Sequence, residues 1–180
     1  KLFAKNLNSY LRRNTMEIRR AVLADAKGIA KVQVDSWQTT YQGIVPAEFL
    51  AGMSYEDREQ KWKNSIPEQA VFVAVKGEEV VGFSIGGPER TGIYPAYQGE
   101  LYAIYMLEEY QGKGIGKALV KAVVEQLVMQ NISSMTVCSL AENPACRFYE
   151  KLGGKKIDTI EMELAGKKLA ENVYGWENIQ

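Results

Sequence analysis

The feature that most constrains this chain is the run Gln111-Gly112-Lys113-Gly114-Ile115-Gly116-Lys117, set between the apolar run ELYAIYML (100–107) and a long helix-forming stretch. Glycines on alternate positions let backbone amides approach a ligand without Cβ interference. The first turn of a helix aims its unpaired N–H groups and a partial positive charge the same way. A turn of this kind at a strand-to-helix handover is built to hold an anion, and phosphate is its natural guest. Lys113, Lys117 and Lys121 recur every four residues and extend a cationic stripe along the predicted helix.

Spacing separates the possible phosphate binders. A nucleoside triphosphate loop needs four residues between its first glycine and a Gly-Lys pair followed by Ser or Thr. Here only three residues lie between Gly112 and Gly116, and Ala118 stands where the hydroxyl would hold magnesium. A dinucleotide fingerprint needs a third glycine three places after Gly114, and Lys117 occupies that position. Neither pattern is met.

The rest of the chain gives this turn a setting. The pattern predicts a strand at 17–22, an amphipathic helix at 24–40 carrying Ile29, Val32 and Trp37, an exposed loop at 41–46 and a second helix at 55–65. VFVAV (71–75) and VVGFSIGG (80–87) read as a hairpin. ELYAIYML reads as a strand buried on both faces. Ile115, Leu119, Val123 and Leu127 recur at intervals of four along a helix ending near Gln130, and SMTVCSL (134–140) supplies another strand. NPACRFYEKLGG (143–154) predicts a short helix capped by Asn143 with Pro144 at its first position. The tail, 155–176, predicts a hairpin turning at 165–167. The expected fold is a single α/β (α+β) domain with a mixed, mostly antiparallel sheet of six or seven strands, a central parallel pair and about four flanking helices. Residues 1–15 read as an upstream extension and Met16 as the natural start, so that the domain occupies 16–180.

Composition narrows the chemistry. The 180 residues contain no histidine, which excludes imidazole nucleophile relays and imidazole metal sites. Cys138 and Cys146 are too few for a thiolate zinc site or a disulfide framework, and no metal is expected. With 22 basic and 22 acidic residues, no net field draws the chain to nucleic acid or to anionic membrane. No export signal or membrane span is read, and a cytoplasmic setting is expected.

The turn and its setting resemble the GNAT superfamily of acyl-CoA-dependent N-acetyltransferases. The family motif Gln/Arg-x-x-Gly-x-Gly/Ala is met by Gln111, Gly114 and Gly116, with the preceding strand, the following helix and strand, Asn143 and the run Phe148 to Gly153 at family-like positions. The resemblance covers about 17–176, and Glu108 departs from it by standing where many relatives have proline. It implies a GNAT fold whose parallel strands splay apart. It also implies acetyl-CoA as co-substrate, its pyrophosphate on the amides of Gln111, Gly112, Lys113, Gly114, Ile115, Gly116 and Lys117, and its pantetheine arm along Ile104, Tyr105 and Met106. Asn143 would contact that arm as well as cap its helix.

The same resemblance implies direct acetyl transfer to a primary amine. Tyr149 is the candidate acid, since a phenol of ordinary pKa about 10 is neutral at pH 7 and can protonate a departing thiolate. Glu100, eleven residues before Gln111, is the candidate base, directly or through water, with strand alternation expected to place it on one face with Tyr102, Ile104 and Met106. Trp37, Tyr41 and Tyr102, with Gln42 and Tyr97 nearby, are expected to line a pocket for a small amine, polyamine or amino-acid derivative. The other readings are a peptide or protein acetyltransferase and a non-catalytic acyl-CoA-binding module. Edge strands near the C-terminus suit a homodimer.

Overall fold

The computed structural model describes residues 15–180. The expected extension and its boundary at Met16 concern residues that lie, but for Thr15, outside the described ones. In chain order the elements are β1 (Met16–Arg20), a 3₁₀ turn (Leu23–Asp25), α1 (Ala26–Thr40), α2 (Ala47–Ala51), α3 (Tyr55–Ser65), β2 (Val71–Lys76), β3 (Glu79–Pro88) and β4 (Gly99–Met106). A 3₁₀ turn (Glu108–Tyr110), α4 (Ile115–Met129), β5 (Met135–Leu140), α5 (Ala145–Lys151), β6 (Lys155–Leu164) and β7 (Lys167–Trp176) follow.

The seven strands form one sheet in the order β1-β2-β3-β4-β5-β7-β6. Every pairing is antiparallel except β4 with β5. The terminal hairpin turns at Ala165 and Gly166, both at positive φ as a two-residue loop with the twist of its strands requires. The short helix α2 is an addition to the four expected. Its five residues follow Pro46, beyond the loop expected at 41–46, in a stretch too short to show a helical period, so the sequence pattern assigns no element there.

Helices cover both faces of the sheet. α1 packs Ile29 and Val32 against Val71, Val73, Phe83 and Ile85 on one face. α4 places Ile115, Leu119, Val123 and Leu127, all buried as the four-residue interval predicts, on the other. The buried Ser84 hydroxyl donates to the Leu119 carbonyl at 3.0 Å and fixes the height of α4 on the sheet.

Two irregularities shape the centre of the sheet. β4 and β5 pair only at Gly99 with Met135 and Glu100 with Thr136, and beyond these two positions the strands diverge. Between Ile85 and Gly86 the β3–β4 register slips, because Ala103 pairs with Ile85 and Leu101 with Gly86, leaving Tyr102 as the extra residue of a β-bulge. The bulge overturns the expected alternation. Tyr102, Ala103 and Tyr105 pack on the α1 face, whereas Ile104 and Met106 pack on the α4 face. Glu100 therefore does not share a face with Ile104 and Met106.

Candidate active site

The divergence of β4 and β5 opens a cleft of about 750 Å³. Tyr102, Ala103, Ile104, Tyr105 and Met106 form one wall and Val137, Cys138 and Ser139 the other. Two strands that part in mid-sheet leave backbone N–H and C=O groups without a ladder partner, and an extended ligand rich in amides can supply one. A larger concavity, about 970 Å³, lies between the start of α1 and the β2–β3 turn among Lys27, Lys31, Lys76, Glu56, Glu59 and Glu79. It is an open trough of mixed charge that none of residues 111–117 lines, so the chemistry is assigned to the cleft.

At one end of the cleft the chain turns into α4. Gly112 (φ 70°) and Gly114 (φ 81°) occupy left-handed backbone conformations that side-chain-bearing residues adopt only under strain. A Cβ at either would meet no atom within 4 Å, so their role is conformational and leaves open space above the amides. Gly116 serves differently. A Cβ there would lie 3.0 Å from Met106 Cε and 3.2 Å from the Phe148 ring, so its absence lets α4 close against β4 and α5. The first helical bond of α4 runs from the Ala118 amide to the Gly114 carbonyl at 3.2 Å, which leaves the amides ahead of it to face the cleft.

The cationic stripe is partly redeployed. Lys117 lines the cleft, but Lys113 sits over the Tyr110 ring at 5.5 Å and Lys121 pairs with Glu125 at 3.5 Å. Ile115 is buried beneath the turn. Arg147 and Lys151 of α5 join Lys117 in the cleft instead. The sequence offered no sign of them, since only tertiary packing brings α5 beside the start of α4. Ser36 and Thr39, which nothing in residue type or spacing marks, also line the cleft, as does Glu108, which the sequence marks only as a departure from the family pattern.

Tyr149 on α5 also lines the cleft, only 5% exposed and packed edge-on against Phe148, with ring centroids 5.4 Å apart. Burial pushes its phenol well above the ordinary tyrosine value, with the neighbouring Tyr105 adding to the effect, so it is firmly protonated at neutral pH. Tyr41, also buried, is raised for the same reason and accepts a hydrogen bond from Asn143 Nδ2 at 3.3 Å. Asn143 Oδ1 accepts from the Ala145 amide at 2.9 Å. The helix begins at Ala145 with Pro144 in the capping position, so Asn143 stands one residue before the cap expected of it and bonds the first helical amide from there.

Trp37 does not line the cleft. It forms the outer layer of an aromatic group with Tyr41 (4.7 Å), Phe49 (5.8 Å) and Tyr105 (6.2 Å). Its indole N–H is buried close to the Tyr105 hydroxyl without the alignment of a full hydrogen bond.

Glu100 lies outside the cleft lining and is 6% exposed. Its oxygens accept from Arg90 Nη2 at 2.5 Å, Arg90 Nε at 3.0 Å and the Arg90 amide at 3.3 Å. The same guanidinium covers the Tyr102 ring at 3.9 Å from its centroid, so that aromatic face is already occupied by a cation. Among the described residues, no group of three or more His, Cys, Asp or Glu could hold a metal ion, and no helix is long and apolar enough to cross a membrane.

Comparison with known proteins gives this geometry its context. The family model described as acetyltransferase (GNAT) family matches residues 34–154. An uncharacterized N-acetyltransferase, YuaI of Bacillus subtilis (strain 168), is 43% identical over 164 residues, covering 90% of this chain and 93% of the relative. The PaiA N-acetyltransferase of Thermoplasma acidophilum, solved in complex with coenzyme A, superposes with a TM-score of 0.71 at 23% identity over 88% of this chain and 98% of its own. The acetyltransferase YncA of Salmonella typhimurium, solved with acetyl-CoA, gives 0.70 at 18% identity over 93% and 95%. The divergent strand pair, the glycine turn at its end and these relatives lead to one conclusion: the chain belongs to the GNAT family of N-acetyltransferases.

Proposed function

We propose that the protein transfers the acetyl group of acetyl-CoA directly to a primary amine, with both substrates bound together. The observation that carries this reading is the continuity of one cleft, from the amides and cations of the α4 start, along the divergent edges of β4 and β5, to the phenol of Tyr149. The residues fit the co-substrate. The open space above Gly112 and Gly114, with Lys117, Arg147 and Lys151 around it, suits a pyrophosphate. The strand edge at Ile104, Tyr105 and Met106 suits an amide-bearing arm.

The reaction forms a C–N bond at the acetyl carbonyl and breaks the C–S bond. Tyr149 supplies the proton that the departing thiolate takes up, and its hydroxyl is available because it engages no side-chain hydrogen bond among the described residues. Glu100 has its oxygens committed to Arg90, so its contribution is to hold that guanidinium over Tyr102. Tyr41 and Tyr102, which line the cleft, bound the acceptor side, with Trp37 backing Tyr41 and Tyr105. The acceptor class supported best is a small amine, a polyamine or an amino-acid derivative.

Release of thiol from acetyl-CoA across a panel of polyamines, amino acids, aminoglycosides and peptides tests the proposal. Acceptor-dependent thiol release supports it. Clear binding of acetyl-CoA with no acceptor raising turnover above hydrolysis overturns it in favour of a binding module.

A further inference from the structure

The structure assigns Glu171 as the carboxylate that receives the acceptor's ammonium group and takes its proton, a role that rests on the acetyltransferase reading above. Glu171 lies on β7 opposite Leu140 of β5, two residues along from Cys138, on the α1 face of the sheet. Glu171 itself lies outside the cleft lining, but Cys138 and Tyr105, which line it, feel its charge. The carboxylate therefore stands on the side of the diverging strands from which an acceptor would approach, across the sheet from the packing of α4.

What distinguishes Glu171 is the lack of a partner. It is half-buried, and among the described residues it forms no ion pair and no side-chain hydrogen bond. Glu100, the other buried carboxylate bearing on Cys138, is neutralised by Arg90. A half-buried carboxylate without a counter-ion is costly in the free protein, and an incoming ammonium would relieve that cost. Burial alone raises the Glu171 carboxyl toward neutrality, which is the direction that suits a base operating near pH 7.

The groups around it are few. From β5 the Cys138 thiol, itself pushed up to about 11 first by burial and then by Glu171, feels its charge. From β4 Tyr105, held neutral chiefly by burial, feels it too, with Arg58 of α3 acting on the same hydroxyl in the opposite sense. On β6 its partner is Ile160. None of these is a carboxylate that could substitute for it.

In the proposed step the acceptor ammonium gives one proton to Glu171, the freed nitrogen lone pair forms the bond to the acetyl carbon, and the second nitrogen proton passes to the Tyr149 phenolate once sulfur has taken the phenol's proton. The C–S bond breaks with that proton transfer to sulfur, the amide nitrogen's proton restores the phenol, and solvent then removes the proton from Glu171. Glu171→Gln is expected to lower kcat/KM for amines about 10²-fold near pH 7, with the deficit shrinking at pH 10 where free amine is supplied by solution. Acetyl-CoA affinity should be unchanged, and Glu171→Asp should recover part of the loss. An unaltered pH profile in Glu171→Gln overturns the assignment while leaving the acetyltransferase intact.

Alkylation of Cys138 by iodoacetamide provides a readout independent of turnover. Spermidine should slow it in the wild type and not in Glu171→Gln. Equal behaviour of the two proteins would overturn the assignment whether or not an acceptor has been found, and absent turnover in the wild type would separately overturn the catalytic reading.

Discussion

Arg90 holds Glu100 through two side-chain bonds, Nη2 to Oε1 at 2.5 Å and Nε to Oε2 at 3.0 Å, while its guanidinium lies against the Tyr102 ring. The pair joins the β3–β4 loop to the last paired position between β4 and β5. It thereby fixes Tyr102 at the point where the strands begin to part.

Replacing Glu100 by Gln should consequently act on structure more than on proton transfer. The pair has one buried partner and one that is more than half exposed, so the expected loss lies between the values for exposed and buried pairs, about 1–2 kcal/mol. Chemical denaturation measures it. The pH profile of kcat/KM should keep its shape, and loss of its acidic limb would return the base role to Glu100.

Tyr149→Phe removes the proposed proton donor while keeping the ring contacts with Phe148, Tyr174 and Trp176. We expect kcat to fall roughly 10- to 10³-fold with little change in coenzyme A affinity. Steady-state kinetics beside calorimetric titration separates the two quantities. Unchanged turnover would clear Tyr149 of the role.

How much of this was legible in the sequence depended on whether a property is local. The interval of four from Ile115 to Leu127, the β-rich runs at 71–75 and 80–87 and the glycines of the turn each report a local period or backbone demand, and the elements they predict are present. The face that Glu100 shares was misread because a bulge at Tyr102 depends on pairing with Gly86 in another strand. Arg147, Lys151 and Arg90 reach their places through tertiary packing alone. Glu171 looks like an ordinary alternating strand residue until the missing counter-ion is seen.

The bulge itself can be tested through Gly86. A Cβ there would lie 2.5 Å from Val123 Cγ1 and 2.8 Å from the Glu100 carbonyl oxygen, one a stiff branched side chain and the other backbone. Neither yields cheaply. Gly86→Ala should cost about 1–3 kcal/mol, the scale of overpacking, and a thermal or denaturant unfolding curve would show it.

The Arg19–Asp25 pair predicts an acid-dependent stability. Burial by itself would raise the Asp25 carboxyl, but bonds from Arg19 at 2.7 and 2.9 Å and from the Val22 amide at 2.8 Å outweigh it and set the carboxyl below its ordinary value. A carboxyl lowered on folding adds stability above its unfolded value, about pH 4, and that increment disappears as pH falls through the folded value. Asp25→Asn should therefore be less stable than the wild type at pH 7, with the gap closing in acid below pH 4. A gap independent of pH would show that the charge of Asp25 contributes nothing.

The glycine turn makes the sharpest claim on the co-substrate. Gly114 sits at φ 81° with no atom within 4 Å of the Cβ position, so a valine there meets backbone strain and fills the space above the α4 amides without colliding with the protein. β-Branched residues are the poorest fit to that conformation, at a cost of about 1–3 kcal/mol. Folded Gly114→Val should bind coenzyme A more weakly, whereas Lys113→Ala, which removes a side chain resting on Tyr110, should bind it nearly as well as the wild type. Calorimetric titration of the two variants decides the matter, because a phosphate held by amides requires this order of affinities and one held by the lysine stripe requires the reverse.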